Sequence, residues 1–63
     1  MIEIVTGAEV NEATGKLEDV YDTFDGPEVT WVTEPSGVLV VMERPGKLWV
    51  AYAPGSWMKV RSV

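Results

Sequence analysis

A short unbroken apolar run from Val38 to Met42 constrains the fold of this chain more than any other stretch. Three of its five residues are β-branched, and turn residues bound it at 35–37 and 45–46. This pattern is typical of a strand that is buried on both faces in the middle of a sheet. We therefore expect the other segments of the chain to cover the two faces of this strand.

Proline and glycine turns divide the second half of the chain into four predicted strands. These strands are residues 28–34, 38–43, 48–52 and 57–63. Turn signals at a spacing of about ten residues favour an antiparallel meander. A further short strand is predicted for Ile2 to Val5, before the pattern changes.

The segment between these strands carries a helical pattern. Thr6-Gly7-Ala8-Glu9 has the form of a capping box, which often begins a helix. The apolar residues that follow fall in a stripe roughly 100° wide on a helix: Val10, Ala13, Leu17, Val20, Tyr21 and Phe24. Acidic residues fall on the opposite side: Glu12, Glu18, Asp19 and Asp22. The spacing predicts an amphipathic helix of four or five turns.

Thr14-Gly15 lies inside this predicted helix, where glycine costs about 1 kcal/mol relative to alanine. The pair could limit the helix to residues 16–23, or it could be the turn of a hairpin in an all-β fold. The main prediction is a single α+β domain over residues 1–63, with one amphipathic helix on a four- to five-stranded, mainly antiparallel sheet. The alternative is a small all-β barrel.

The apolar strands predict an interaction surface. A single helix covers one face of a sheet, whereas residues 38–42 and 48–52 are apolar on both faces. An uncovered apolar face usually marks an interaction site, and symmetric dimers are the commonest way to cover one. We therefore expect a homo-oligomer, a dimer first, although barrel closure or a different protein partner would also cover the face. The predicted interface residues are Trp31, Val40, Trp49 and Trp57.

The charge is divided unevenly along the chain. Residues 1–34 hold nine acids and one base, a charge of −8, and residues 35–63 hold one acid and four bases, a charge of +3, so the net charge is −5. Direct binding of nucleic acid is not expected, because an acidic chain repels phosphates. Carboxylates on a rigid helix can instead occupy a basic protein groove. The predicted partner-binding residues are Glu9, Glu12, Glu18, Asp19, Asp22 and Asp25.

Two other interpretations of the charged and aromatic residues remain open. The acidic face could simply keep a small protein soluble in water. Trp57 with Lys59 and Arg61 could form a small stacking site for a ligand or a nucleic acid. Solubility alone does not require the charge difference between the two halves of the chain.

The residue inventory argues against catalysis. The chain has no cysteine and no histidine, and its three serines lie in turns or at the chain end without a visible general base. The carboxylates between Asp22 and Glu28 lack the ligand spacing of an EF-hand loop. We expect a protein that is not an enzyme and that holds neither a cofactor nor a metal.

The sequence also gives an expectation for the location of the protein and for the kind of protein it is similar to. No segment is long and apolar enough to span a membrane, and the N-terminus lacks the pattern of a signal peptide, so a complete cytoplasmic gene product is expected. In size and charge the chain is similar to the small acidic accessory proteins that phages make to bind and inhibit host proteins. The predicted function is a non-enzymatic inhibitor of a basic, nucleic-acid-binding surface. The alternative is an assembly subunit that forms a homo-oligomer through the apolar sheet face.

Overall fold

The computed structural model describes all 63 residues and contains six β-strands and no helix. The strands are β1 (Ile2–Asn11), β2 (Lys16–Phe24), β3 (Thr30–Thr33), β4 (Leu39–Arg44), β5 (Lys47–Tyr52) and β6 (Lys59–Ser62). They form two three-stranded antiparallel sheets, the first ordered β2-β1-β6 and the second β3-β4-β5. The predicted α+β fold is therefore wrong. The chain is all-β, and it forms two separate sheets.

A long hairpin replaces the predicted helix. β1 and β2 pair from Ile2 opposite Phe24 to Asn11 opposite Lys16. The Asn11 carbonyl closes the loop by accepting hydrogen bonds from the backbone N–H of Thr14 and of Gly15, at 3.2 and 2.7 Å. Gly15 has a φ of 71°, in the left-handed region that glycine adopts without a Cβ clash. The glycine that weakened the helix prediction is therefore a turn residue.

The helix prediction from apolar spacing was wrong because the apolar residues of this segment lie on both faces of a two-stranded ribbon. Side chains alternate along a strand, so Leu17 and Tyr21 lie on one face of β2, while Val20 and Phe24 lie on the other. Only Phe24 is buried. The predicted capping box does not form, since Thr6 Oγ1 instead donates to the Val20 carbonyl at 3.4 Å, next to a register shift in β1.

The hydrophobic core lies between the inner faces of the two sheets. Its buried residues are Ile2, Ile4, Phe24, Leu39 and Val41. β4 is the central strand of its sheet, as the sequence predicted. However, the alternate residues Val40 and Met42 are only half-buried. The prediction that this strand is covered on both faces is therefore wrong.

The C-terminal strand leaves the predicted meander. β3, β4 and β5 are sequential antiparallel neighbours, whereas β6 pairs with β1 from Ile2 opposite Ser62 to Val5 opposite Lys59. Trp57, just before β6, packs against the core, and its indole N–H donates to the Gly37 carbonyl at 3.0 Å. This contact ties the crossing segment to the loop between β3 and β4.

The molecule is flat and elongated. Its extents are 42 × 27 × 14 Å, and its radius of gyration is 13.1 Å, whereas a compact chain of this length would have about 11 Å. β6 pairs with β1 only as far as Val5, so the hairpin continues beyond it as a two-stranded ribbon. We call residues 7–20 the arm. None of the residues of the arm is buried.

Candidate protein-binding surfaces

The fold separates the six acidic residues that the sequence grouped on one helix face. Glu9, Glu12 and Glu18 lie near the tip of the arm, and Asp25 follows the opposite end of β2. Asp19 and Asp22 lie on opposite faces of β2, because they are three positions apart along the strand and side chains alternate. The predicted acidic helix face is therefore wrong, and only the three glutamates near the tip lie close together.

The tip of the arm places two carboxylates against each other. Glu9 lies directly opposite Glu18 in the strand register, and Glu12 lies in the turn between the strands. One Glu18 oxygen accepts a hydrogen bond from the Asn11 side-chain amide at 2.9 Å. Lys16 is the only base among residues 7–20. Like charges directly opposite on paired strands destabilise the pairing, so this arrangement disfavours the free ribbon.

An apolar pair lies on the other face of the tip. Val10 is opposite Leu17, and the two side chains are 60% and 71% exposed. Val10 follows Glu9 in an extended strand, so the apolar pair and the carboxylate pair point in opposite directions. The tip thus presents an acidic face and an apolar face to the solvent.

Asp19 is neutralised within the chain. Its carboxylate accepts from one terminal nitrogen of Arg61 at 2.9 Å, and the other terminal nitrogen of Arg61 lies 2.9 Å from Glu3. The Arg61 guanidinium also lies 5.2 Å from the centre of the Tyr21 ring. Lys59 lies 4.0 Å from the same Asp19 carboxylate. These contacts cross the outer face of the first sheet and hold β6 and β2 on either side of β1.

Asp22 links the two sheets. The Tyr52 hydroxyl donates a hydrogen bond to the Asp22 carboxylate at 2.6 Å, from β5 of one sheet to β2 of the other. Burial, and secondarily the adjacent Asp22 carboxylate, raises the pKa of the Tyr52 hydroxyl above its usual value. Asp22 therefore has a partner outside the β1–β2 hairpin, as Asp19 does, whereas the side-chain partner of Glu18 is Asn11 of the same hairpin.

The Tyr52–Asp22 contact should give the fold a specific sensitivity to alkali. Since the folded-state pKa of Tyr52 is raised, its stabilising contribution is complete below the unfolded pKa of about 10 and is lost as the pH rises above that value. We expect Tyr52→Phe to lower the free energy of unfolding at pH 7 by about 1 kcal/mol or less, because the pair is exposed. The same variant should remove this part of the decline in stability above pH 10. Urea unfolding across that pH range measures both effects.

Tyr21→Phe is the matched control, since Tyr21 is the only other tyrosine and its ring contacts Arg61 on the outer face. This variant should keep the steep alkaline decline of the parent. A parallel decline in the parent and in Tyr52→Phe would contradict the role given to the Tyr52–Asp22 hydrogen bond.

The four residues of the predicted oligomer interface lie in different environments. Trp49 packs edge-on against Phe24, with the ring centres 5.1 Å apart, and Trp57 packs against the core. Trp31 is opposite the buried Val41 and shares its face of the sheet, although it is 42% exposed at the edge strand. Only Val40 lies on the outer side of the second sheet. The structure therefore does not bring these four residues together in one surface.

The outer side of the second sheet instead presents six uncharged residues in two rows. Val40 is opposite both Val32 and Ala51, and Met42 is opposite both Thr30 and Leu48. We call these six residues the outer sheet face. The sequence signal for this surface was the continuous uncharged run in each of the predicted strands, but the predicted interface was assigned mainly to the tryptophans.

The turn between β4 and β5 carries a small depression lined by Glu43, Lys47, Leu48 and Trp49. Its acid and its base are already paired, with Lys47 Nζ 2.8 Å from a Glu43 oxygen. The hydrogen bond and the charge of Lys47 lower the pKa of the Glu43 carboxyl. The depression therefore presents an exposed ion pair beside two apolar side chains.

No protein-family model, curated protein or solved structure matches this chain. The structure has no helix of the length and apolar character needed to cross a membrane. The arm and the outer sheet face are therefore identified as candidate functional surfaces from strand register, exposure and charge alone.

Proposed function

We propose that this chain is a non-enzymatic protein-binding module of the cytoplasm and that its binding element is the tip of the arm. The observation that carries the proposal is the pairing of Glu9 with Glu18 beside an exposed Val10–Leu17 pair. Opposed like charges and exposed apolar side chains both disfavour the free ribbon. Both effects are relieved when a basic and partly apolar surface covers the tip.

The partner that fits this chemistry is a protein with a basic groove, of the kind that binds the phosphates of a nucleic acid. Three glutamates and one lysine give the tip a net negative charge that would steer it toward such a groove. A two-stranded ribbon is about 5 Å across between its strand axes, narrow enough to enter a groove. Occupation of the groove would exclude the nucleic acid, so the chain would act as an inhibitor.

A charge reversal at the tip tests this proposal. The variant Glu9→Lys/Glu12→Lys/Glu18→Lys should bind an oligoarginine peptide at least about tenfold more weakly than the parent at low ionic strength, a loss of about 1.4 kcal/mol. Titration calorimetry or fluorescence anisotropy measures this difference. Circular dichroism should show that the strands are retained, because the two opposed carboxylates are replaced by two opposed ammonium groups, which leaves a like-charge pair of similar cost at this position.

The matched control reverses three exposed acids outside the arm, Asp25, Glu28 and Glu34. Both triple variants change the formal net charge from −5 to +1. We expect the control to retain most of the affinity, since local carboxylates at the tip make the contact. Equal losses in the two variants would show that only the net charge matters, and the arm would then be a solubilising surface.

A further inference from the structure

We propose that the basic partner contributes an extended segment that pairs with the unpaired edge of β1 in the arm, and that basic and apolar side chains alternate along this segment. This step rests on the proposed function of the tip, because it names the part of the partner that the tip binds. It adds the backbone conformation and the side-chain pattern of the bound segment.

β1 changes along its length from a central strand to an edge strand. It lies between β2 and β6 as far as Val5, whose carbonyl accepts a hydrogen bond from the Met58 N–H at 2.8 Å. From Gly7 to Asn11 it pairs with β2 alone. We call the side of residues 7–11 that faces away from β2 the free edge of β1. Alternate N–H and C=O groups point outward along such an edge, which makes it a template for an added strand.

The free edge of β1 lies in line with β6. A strand added there would continue the position of β6 and extend the three-stranded sheet along the arm. A two-stranded ribbon is marginally stable by itself, whereas a third strand gives the middle strand hydrogen bonds on both sides. The free edge spans about five residues, or roughly 17 Å. Backbone hydrogen bonds over this length are the source of affinity when a peptide adds to a sheet edge.

The two faces of the free edge of β1 differ in chemistry. Glu9 lies on one face, opposite Glu18, whereas Ala8 and Val10 lie on the other. Ala8, Glu9 and Val10 are all exposed. Directly opposed side chains of paired strands lie about 5 Å apart. A basic side chain of the added strand therefore meets Glu9, while its sequence neighbours meet Ala8 and Val10, so the matching segment alternates basic and apolar residues.

Charge selects a basic segment over a second copy of the arm. A second arm would bring its own Glu9 and Glu12 against the same carboxylates, and opposed like charges destabilise strand pairing. The outer edge of β2 is the other unpaired edge of the arm. It begins at Lys16, and its Asp19 is already paired with Arg61. Residues 7–11 contain no base, so the free edge of β1 is the better match for a basic strand.

Two synthetic peptides of the same composition and charge test the side-chain pattern. One is acetyl-Arg-Val-Arg-Val-Arg-Val, and the other is acetyl-Arg-Arg-Arg-Val-Val-Val. We expect the full chain to bind the alternating peptide at least about tenfold more tightly, measured by titration calorimetry at low ionic strength. Equal affinities that are lost in the Glu9→Lys/Glu12→Lys/Glu18→Lys variant would overturn the strand pairing and leave the charge-based function of the tip standing. Affinities that this variant does not change would refute both.

Methylation of backbone nitrogens tests strand pairing at constant charge. In an extended strand the N–H groups of alternate residues point to opposite edges, so only one set, that of the arginines or that of the valines, faces β1. Alternating peptides methylated on one set or on the other should therefore differ in affinity by at least about tenfold. Equal affinities of the two methylated peptides, whether high or low, would contradict strand addition.

Amide hydrogen exchange locates the bound peptide on the arm. With the alternating peptide bound, the outward-facing amides of residues 7–11 should exchange at least about tenfold more slowly than in the free chain. The outward-facing amides of β2 within residues 16–20 are the internal control, and their rates should change by less than about threefold. Protection of the β2 edge instead, or of neither edge, would overturn the assignment to β1.

Discussion

Leu39→Ala is expected to lower the free energy of unfolding by about 2–5 kcal/mol. Leu39 is fully buried between the sheets, in a cluster that contains five of the six buried residues of the chain. A domain of this length has a total stability of roughly 3–9 kcal/mol. The variant should therefore lose a large share of its stability, which urea unfolding followed by tryptophan fluorescence measures.

Leu17→Ala is the matched control, because the same side chain is removed from an exposed position on the arm. Its free energy of unfolding should change by about 0.5 kcal/mol or less. If both leucine variants were destabilised equally, the burial of Leu39 between the two sheets would be contradicted. If neither variant were destabilised, the position of Leu39 in the hydrophobic core would be contradicted.

Arg61→Met is expected to lower the free energy of unfolding by about 1–3 kcal/mol. The substitution keeps an apolar stem but removes two ion pairs of 2.9 Å and the contact with the Tyr21 ring. The Glu3 side chain is only 15% exposed, so its carboxylate would remain partly buried without its cation. β6 should also pair less firmly with β1, which amide hydrogen exchange of residues 59–62 would show.

Lys59→Met provides the comparison, since Lys59 lies on the same face of the same strand and loses the same charge. Its nitrogen is 4.0 Å from Asp19 and its side chain is more exposed than that of Arg61. We expect a change within about 0.5 kcal/mol. Equal destabilisation by the two variants would mean that net charge, and not the geometry of the Arg61 contacts, holds this surface together.

The acidic residues of this chain serve different physical roles although the sequence groups them together. Glu3 and Asp19 neutralise Arg61, and Asp22 accepts the Tyr52 hydroxyl across the two sheets. Glu9 and Glu18 face each other at the tip of the arm, and neither forms an ion pair. We therefore propose partner binding at the tip alone, where no ion pair within the chain compensates the charge of the glutamates.

The candidate surfaces were only partly predictable from the sequence. The residue types alone show the excess of acids in the first half. They also indicate a turn at Gly15 as one alternative to the helix. The division of those acids between opposite faces of β2 depends on strand alternation, which a helical interpretation hides. The predicted interface included Trp49 and Trp57 because they are large and apolar, but Trp49 packs against Phe24 and Trp57 packs against the core.

The amino-acid sequence by itself determined where the second half of the chain turns, which of its segments are strands, and that Val38–Met42 belongs to a central strand. Proline, glycine and β-branched residues act on the backbone of their own segment, so these features need no distant partner. Only the tertiary structure decided that residues 2–24 form a hairpin and that β6 returns to β1. Those choices depend on pairs such as Ile2 with Phe24 and Ile2 with Ser62, which are distant along the chain. The free energy of such pairing comes from the burial that both strands achieve together in the core.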